Sequence, residues 1–177
     1  MCVTSGNAMR VMETFPPEQE IVFVPDQHLG SHIAELLGAT YILWPGYCPT
    51  HACLTAKQLA AARAAHPGAP VLVHPECTKE VRDAADERLS TGGMCAFART
   101  SPAQEFVIGT ETGILHRLRQ ENPGKKFWPA APLVCPNMKK TTLENLRDCL
   151  RDLSPVVTVP PEIAARAKRA IDAMLAI

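Results

Sequence analysis

The sequence predicts an α/β fold made of repeated, pseudo-symmetric α/β/α three-layer units with parallel sheets, truncated at the N-terminus. Three observations carry that expectation. Short β-branched or apolar runs alternate with Ala/Leu/Arg-rich segments of helical period, the pattern of helices layered on parallel strands. A block of features recurs in the same order about 85 residues later. Apolar residues make up 46% and charged residues 20% of the 177, which is ordinary globular usage with enough apolar surface for real cores.

Taken in order, Cys2 to Ala8 close a strand and open a helix, and Ile21-Val22-Phe23-Val24 is the first complete strand candidate. A helix over 31–37 ends at Gly38, where a left-handed residue is needed. Tyr41-Ile42-Leu43-Trp44, Val71-Leu72-Val73 and Phe106-Val107-Ile108 are further strands, and Val156-Val157-Thr158-Val159 is the last. Thr55 with Gln58, and Thr141 with Glu144, have the capping-box spacing that satisfies free amides of a first helical turn. Thr78 can cap the helix after the third strand. The final helix starts at Pro161 and places Ile163, Ala167, Ile171 and Met174 on one face.

The repeat sets the domain plan. Cys48-Pro49 recurs as Cys135-Pro136, Phe23-Val24 as Phe106-Val107, Gly30 as Gly113, and Thr4-Ser5-Gly6 is answered by Ser90-Thr91-Gly92. Residues 1–48 then form the rest of a truncated unit and 49–135 a complete one, with a C-terminal strand and helices in 136–177.

Charge and composition exclude several function classes. Eighteen Lys and Arg balance eighteen Asp and Glu with no basic stripe, so no nucleic-acid partner is expected. No apolar run approaches the ~20 residues of a membrane helix, and the first ten residues lack a secretory pattern, so a cytoplasmic protein without membrane contact is expected. Seven cysteines in such a compartment point to buried thiols with metal ligands among them.

Repeated units that each end in Cys-Pro offer Cys48 and Cys135 as thiolates to one shared point, which suits an iron-sulfur cluster or zinc. Cys2, Cys53, Cys77, Cys95 and Cys149 have no such counterpart and are expected as core or surface thiols. His74 and Glu76 follow a strand at its carboxyl end, where open α/β sheets bind ligands, so they are candidates for acid, base or substrate anchor. Ser5, Ser90 and Thr91 lie in two matched hydroxyl-rich turns at helix starts, a cradle for carboxylate or phosphate. His51 is either a ligand or a cleft residue, whereas His28, His32, His66 and His116 look solvated or on helix faces.

Two other functions fit parts of the pattern. His74-x-Glu76 has the H-x-E half of a zinc deaminase or hydrolase site, although Cys135 is followed three residues later by Met138 and not by a second cysteine. A closed zinc site of Cys48, His51, Cys53 and Cys135 would make the chain a structural or interaction module.

Several motifs in this order resemble the quinolinate synthase family. They are Thr4-Ser5-Gly6-Asn7-Ala8, Pro25-Asp26 with Leu29-Gly30, Trp44-Pro45-Gly46 with Cys48 and His51, and His74-Pro75-Glu76-Cys77. Asp86 with Ser90-Thr91, Thr110-Glu111 with Gly113, and Cys135 with Met138-Lys139 complete the set. The resemblance implies three α/β/α domains around a cavity, each giving one cysteine to a 4Fe-4S cluster whose open iron acts as a Lewis acid. The implied reaction condenses iminoaspartate with dihydroxyacetone phosphate to quinolinate in NAD biosynthesis, with L-aspartate oxidase or aspartate dehydrogenase as the source of iminoaspartate. It makes Cys48 and Cys135 cluster ligands, His74 and Glu76 catalytic, and Ser5, Ser90 and Thr91 holders of substrate oxygens. The family's first domain and third cysteine have no match here, so 136–177 would pack back on that domain, and the chain alone is expected to be inactive.

Overall fold

Residues with branched or aromatic side chains form the central strands because both faces of a parallel sheet are buried there under helices. The computed structural model describes all 177 residues, Met1–Ile177. They divide into two compact units, Thr4–Val134, and Cys135–Ile177 together with Met1–Val3.

The larger unit runs α1 (Ala8–Met12), β1 (Val22–Phe23), α2 (Gln27–Leu37), β2 (Ile42–Leu43), α3 (Pro49–Ala52), α4 (Ala56–Ala65), β3 (Val71–Val73), α5 (Lys79–Asp83), β4 (Glu87–Arg88), α6 (Thr91–Thr100), β5 (Glu105–Gly109), α7 (Ile114–Glu121) and β6 (Lys126–Pro129). β1 and β2 pair in parallel as one two-stranded sheet, and the other four strands make a parallel sheet in the order β4-β3-β5-β6. The expected α/β class with parallel sheets is what the chain adopts.

Alternation along β3 and β5 sends side chains to two cores. Val71, Val73 and Val107 pack with Leu54, Leu59 and Val81 on one face, while Leu72, Phe106 and Ile108 pack with Met94, Leu115 and Phe127 on the other. Helices therefore cover both faces of this sheet, giving three layers.

The local signals perform as their chemistry dictates. Thr55 and Gln58 close a capping box on α4, and Gly38 ends α2 with φ 61°. Gly30 lets α2 lie on the small sheet, since a Cβ there would come within 2.6 Å of Leu43 Cδ2. Arg82, which the sequence did not single out, is fully buried. Its guanidinium donates to His28 O (3.0 Å), Cys77 O (2.9 Å) and Ser31 Oγ (3.0 Å), so it ties α2 to the turn after β3. His32 is buried beside it and not solvated; burial and the Arg82 charge lower its pKa.

The smaller unit holds a 3₁₀ turn (Met138–Lys140), α8 (Leu143–Asp152) and α9 (Pro161–Leu175), and Cys2 N–H donates to Ala170 O at 3.3 Å. Leu146, Leu150, Ile163 and Ile171 of the two helices are exposed. Val156–Val159 form no strand and are largely exposed. Pro155 and Pro160 bracket them and carry no N–H for a ladder, so high β propensity alone does not make a strand. Conversely, β4 and β6 escaped the sequence because Glu87-Arg88 and Lys126-Phe127-Trp128-Pro129 are too polar or too broken to look like sheet. No helix is long and apolar enough to cross a membrane.

The second capping box lies one residue later than expected. Thr142 Oγ accepts from Asn145 N–H at 3.2 Å and Asn145 Oδ1 accepts from Thr142 N–H at 2.9 Å, so Thr141 and Glu144 are not the pair. Thr142→Ala should destabilise α8 by about 1 kcal/mol, whereas Thr141→Ala should stay within about 0.5 kcal/mol. Amide hydrogen exchange along α8 measures both, and equal effects would contradict the assignment.

Candidate functional site

The parallel pairing of β3 with β5 brings two strand ends side by side, Val73 opposite Gly109. His74 follows β3 and its N–H donates to Gly109 O at 3.2 Å, while Thr110 follows β5. α3, the short helix before α4, contributes His51. With Glu76, two residues beyond His74, four side chains thereby meet at the carboxyl end of the sheet.

Glu76 links the two histidines. Its Oε2 lies 2.9 Å from His51 Nδ1 and 3.7 Å from His74 Nδ1, and the two imidazoles stack with centroids 4.3 Å apart. A carboxylate can only accept, so His51 carries its proton on Nδ1 and its Nε2 takes the Thr110 hydroxyl at 2.8 Å. His74 has the opposite tautomer. Its Nδ1 accepts the Glu76 N–H at 3.3 Å, leaving Nε2–H to donate to Ser5 Oγ at 3.2 Å.

Burial, and secondarily the neighbouring His51, push the His74 pKa down to about 4 against the opposing pull of Glu76. The hydrogen bond from His51 holds Glu76 below the usual carboxylate range despite its burial. A neutral His74 therefore sits beside an ionised Glu76. Thr110, His51 and Glu76 also have the order of a nucleophile, base and orienting acid. Thr110 is 2% exposed, so its hydroxyl cannot reach a substrate carbonyl and the row serves to position Glu76.

Cys48 stands at the edge of this cluster as the residue before α3. Its backbone N–H donates to Asp26 Oδ2 at 2.8 Å, while Asp26 Oδ1 caps α2 through Leu29 N–H, also at 2.8 Å. One buried carboxylate thus fixes both the helix start and the cysteine. Burial raises the Cys48 pKa, with the amides of His51 and Thr50 pulling the other way and the Glu76 charge adding to the rise. The ligand atoms of Cys48, His51 and Glu76 lie within 4.8 Å of one another.

The remaining candidates are distributed as follows. Ser5 joins the cluster through His74. Ser90 caps α6 by accepting from Gly93 N–H, and a Cβ on Gly6 would sit 3.5 Å from its Oγ, so the two hydroxyl-rich turns are neighbours. Thr91 is exposed at the first position of α6. Thr78 precedes α5 but makes no side-chain cap. Cys135 belongs to the smaller unit and is half-buried. Cys53 is exposed and outside the convergent group, and Cys77 is buried with its pKa pushed up to about 12, an inert core thiol. His51 was left open by the sequence, Asp26 and Thr110 entered it only as parts of motifs, and all three are structurally central. The available signal was that Asp26 starts a helix, Thr110 directly follows a strand and His51 lies three residues after Cys48.

The depressed His74 pKa has a consequence for stability. Between the ordinary value of 6.5 and the folded value of about 4, the unfolded chain binds more protons than the folded one. The contribution is therefore present above pH 6.5 and lost as pH falls towards 4. The thermal midpoint should drop across that window, and His74→Gln should flatten the drop; an unchanged slope would contradict the burial assigned to this ring.

Comparison with known proteins places the chain. A family model described as NadA, quinolinate synthetase A protein, matches residues 1–176. Quinolinate synthase of Geobacter metallireducens is 48% identical over 178 aligned residues, covering 100% of this chain and 58% of that protein. The quinolinate synthases of Geotalea uraniireducens and Methanoregula boonei are each 49% identical, covering all of this chain and 58% and 59% of theirs. The chain thus spans about 58% of the length of the curated relatives it matches. It belongs to the quinolinate synthase family.

Proposed function

We propose that this chain supplies part of a cytoplasmic enzyme that condenses iminoaspartate with dihydroxyacetone phosphate to quinolinate, with loss of water and phosphate, for NAD biosynthesis. L-aspartate oxidase or aspartate dehydrogenase would provide the iminoaspartate. The observation that carries the reading is the convergence of His74, Glu76 and His51 beside Cys48 at the strand ends.

The donor set fits a 4Fe-4S cluster, because Cys48 is a half-buried thiol whose backbone is fixed by Asp26, next to an ionised carboxylate that leaves the approach polar. Cys48 and Cys135 would hold it, with a third thiolate from beyond these 177 residues. When bound, the cluster would supply an open iron as Lewis acid for a substrate oxygen.

The chain's own side chains would do the proton and binding work. Glu76, ionised and oriented by His51, suits a base or an anchor for a protonated nitrogen. His74, neutral and donating from Nε2, suits a hydrogen-bond donor to a carbonyl or carboxylate in the place now taken by Ser5 Oγ. Ser5, Ser90 and Thr91 would hold carboxylate or phosphate oxygens, supported by the nearness of the two turns. Residues 1–48 and 49–135 would be the second and third family domains. The exposed apolar residues of α8 and α9 support the proposal that 136–177 packs on the first.

Two outcomes are expected. Reconstituted anaerobically with iron and sulfide, the 177-residue chain alone should make no quinolinate, and turnover above background would contradict the division of ligands. In a chain extended to the full length of the relatives, His74→Ala and Glu76→Gln should each cut turnover by about 10²–10⁴-fold while cluster absorbance and thermal midpoint stay nearly constant. Near-normal turnover, or loss only through unfolding, would show the turn to be structural.

A further inference from the structure

The site residues hang from two different parts of the larger unit. Cys48 and His51 belong to a segment tied to the start of α2, where Cys48 N–H donates to Asp26 Oδ2 and Gln27 N–H donates to Gly46 O, both at 2.8 Å. His74 and Glu76 belong instead to the turn between β3 and α5. We infer that Arg82 is a positioning residue, whose guanidinium sets where the His74–Glu76 turn stands against the Cys48–His51 segment. Its effect on turnover rests on the function proposed above, whereas the positioning itself does not.

The geometry requires a guanidinium. Arg82 lies on α5 and is only 1% exposed. One terminal nitrogen donates both to Cys77 O, next to Glu76, at 2.9 Å and to His28 O in the first turn of α2 at 3.0 Å, while the other donates to Ser31 Oγ at 3.0 Å. A rigid planar fork holds acceptors on both sides at once, which the single point charge of a lysine does not. The ion pair of Lys79 with Glu35, at 3.5 Å, joins the same two helices but is exposed and therefore weak.

Stability alone does not account for this side chain. Its ion-pair partner is the exposed Glu35 at 3.5 Å, and its buried Nε has no hydrogen-bond partner. A buried charge with an unpaired N–H costs stability that an apolar side chain of similar volume would not. What Arg82 contributes is fixed geometry. The contacts close a ring around the site, from Cys48 through Asp26 and α2 to Arg82, then through Cys77 to Glu76 and back by the 2.9 Å bond to His51. Losing the guanidinium opens that ring on its buried side.

Nuclear Overhauser effects between the two histidine rings, and their ¹⁵N shifts, read the positioning in the 177-residue chain at neutral pH. The stacked rings, 4.3 Å apart, should give a strong ring–ring effect, and His74 should show one tautomer. Arg82→Lys should weaken the effect and average the two His74 nitrogens. Ser31→Ala, which removes one acceptor of the fork, should move both readouts the same way by less, and Lys79→Ala should move neither. In a chain extended to the full length of the relatives, Arg82→Lys should lower kcat by about 10–100-fold with KM and cluster absorbance nearly constant. Far-UV circular dichroism checks folding, and Ser31→Ala decides if Arg82→Lys does not fold. Unchanged ring contacts and shifts in the folded variant, or equal changes in Lys79→Ala, would overturn the inference. Changed shifts with normal turnover would uphold the positioning and contradict instead the reading of His74 and Glu76 as working groups.

Discussion

The register of β3 on β5 is the constraint on which the site depends. Val71 pairs with Val107 and Val73 with Gly109, and both strands are buried on two faces, so a slip by one residue would send each side chain into the wrong core. That register puts His74 and Thr110 at adjacent strand ends. His51 can then bridge from Thr110 to Glu76, two residues beyond His74. Hydrophobic burial thus fixes the spacing of polar groups that could not hold it themselves.

The polar cluster is consistent because each buried group has a complementary neighbour. An ionised carboxylate in a half-buried position would be costly alone, and the N–H of His51 offsets that cost. Burial, and secondarily the stacked His51 ring, then favours a neutral His74. One carboxylate, two tautomers and two hydroxyls form a row running from Ser5 to Thr110, with Cys48 at its side. The same row suits substrate handling, which requires an oriented Glu76 next to an available thiol.

Much of the fold was legible in the sequence. Val71-Leu72-Val73 and Phe106-Val107-Ile108 announced the central strands because burial on both faces demands unbroken apolar runs. Thr55, Gly38 and Pro161 marked helix ends through chemistry that acts within a few residues. What failed to show depends on distant partners. Glu87-Arg88 is a strand only because β3 offers it an edge, Val156–Val159 is not one despite its composition, and Arg82 is buried only because α2 supplies acceptors 51 and 54 residues away. In the site, the turn holding His74 and Glu76 stood out by its place after a strand. The bridge by His51 and Thr110 spans 59 residues and no local pattern encodes it.

The opposed tautomers of the stacked rings are the most specific consequence of this arrangement, and histidine ¹⁵N chemical shifts read them directly. In the metal-free chain at neutral pH, His51 should show a donor-type Nδ1 and an acceptor-type Nε2, and His74 the reverse, with the His74 ring uncharged. Finding the same tautomer in both rings, or a protonated His74 at neutral pH, would contradict the account of the site.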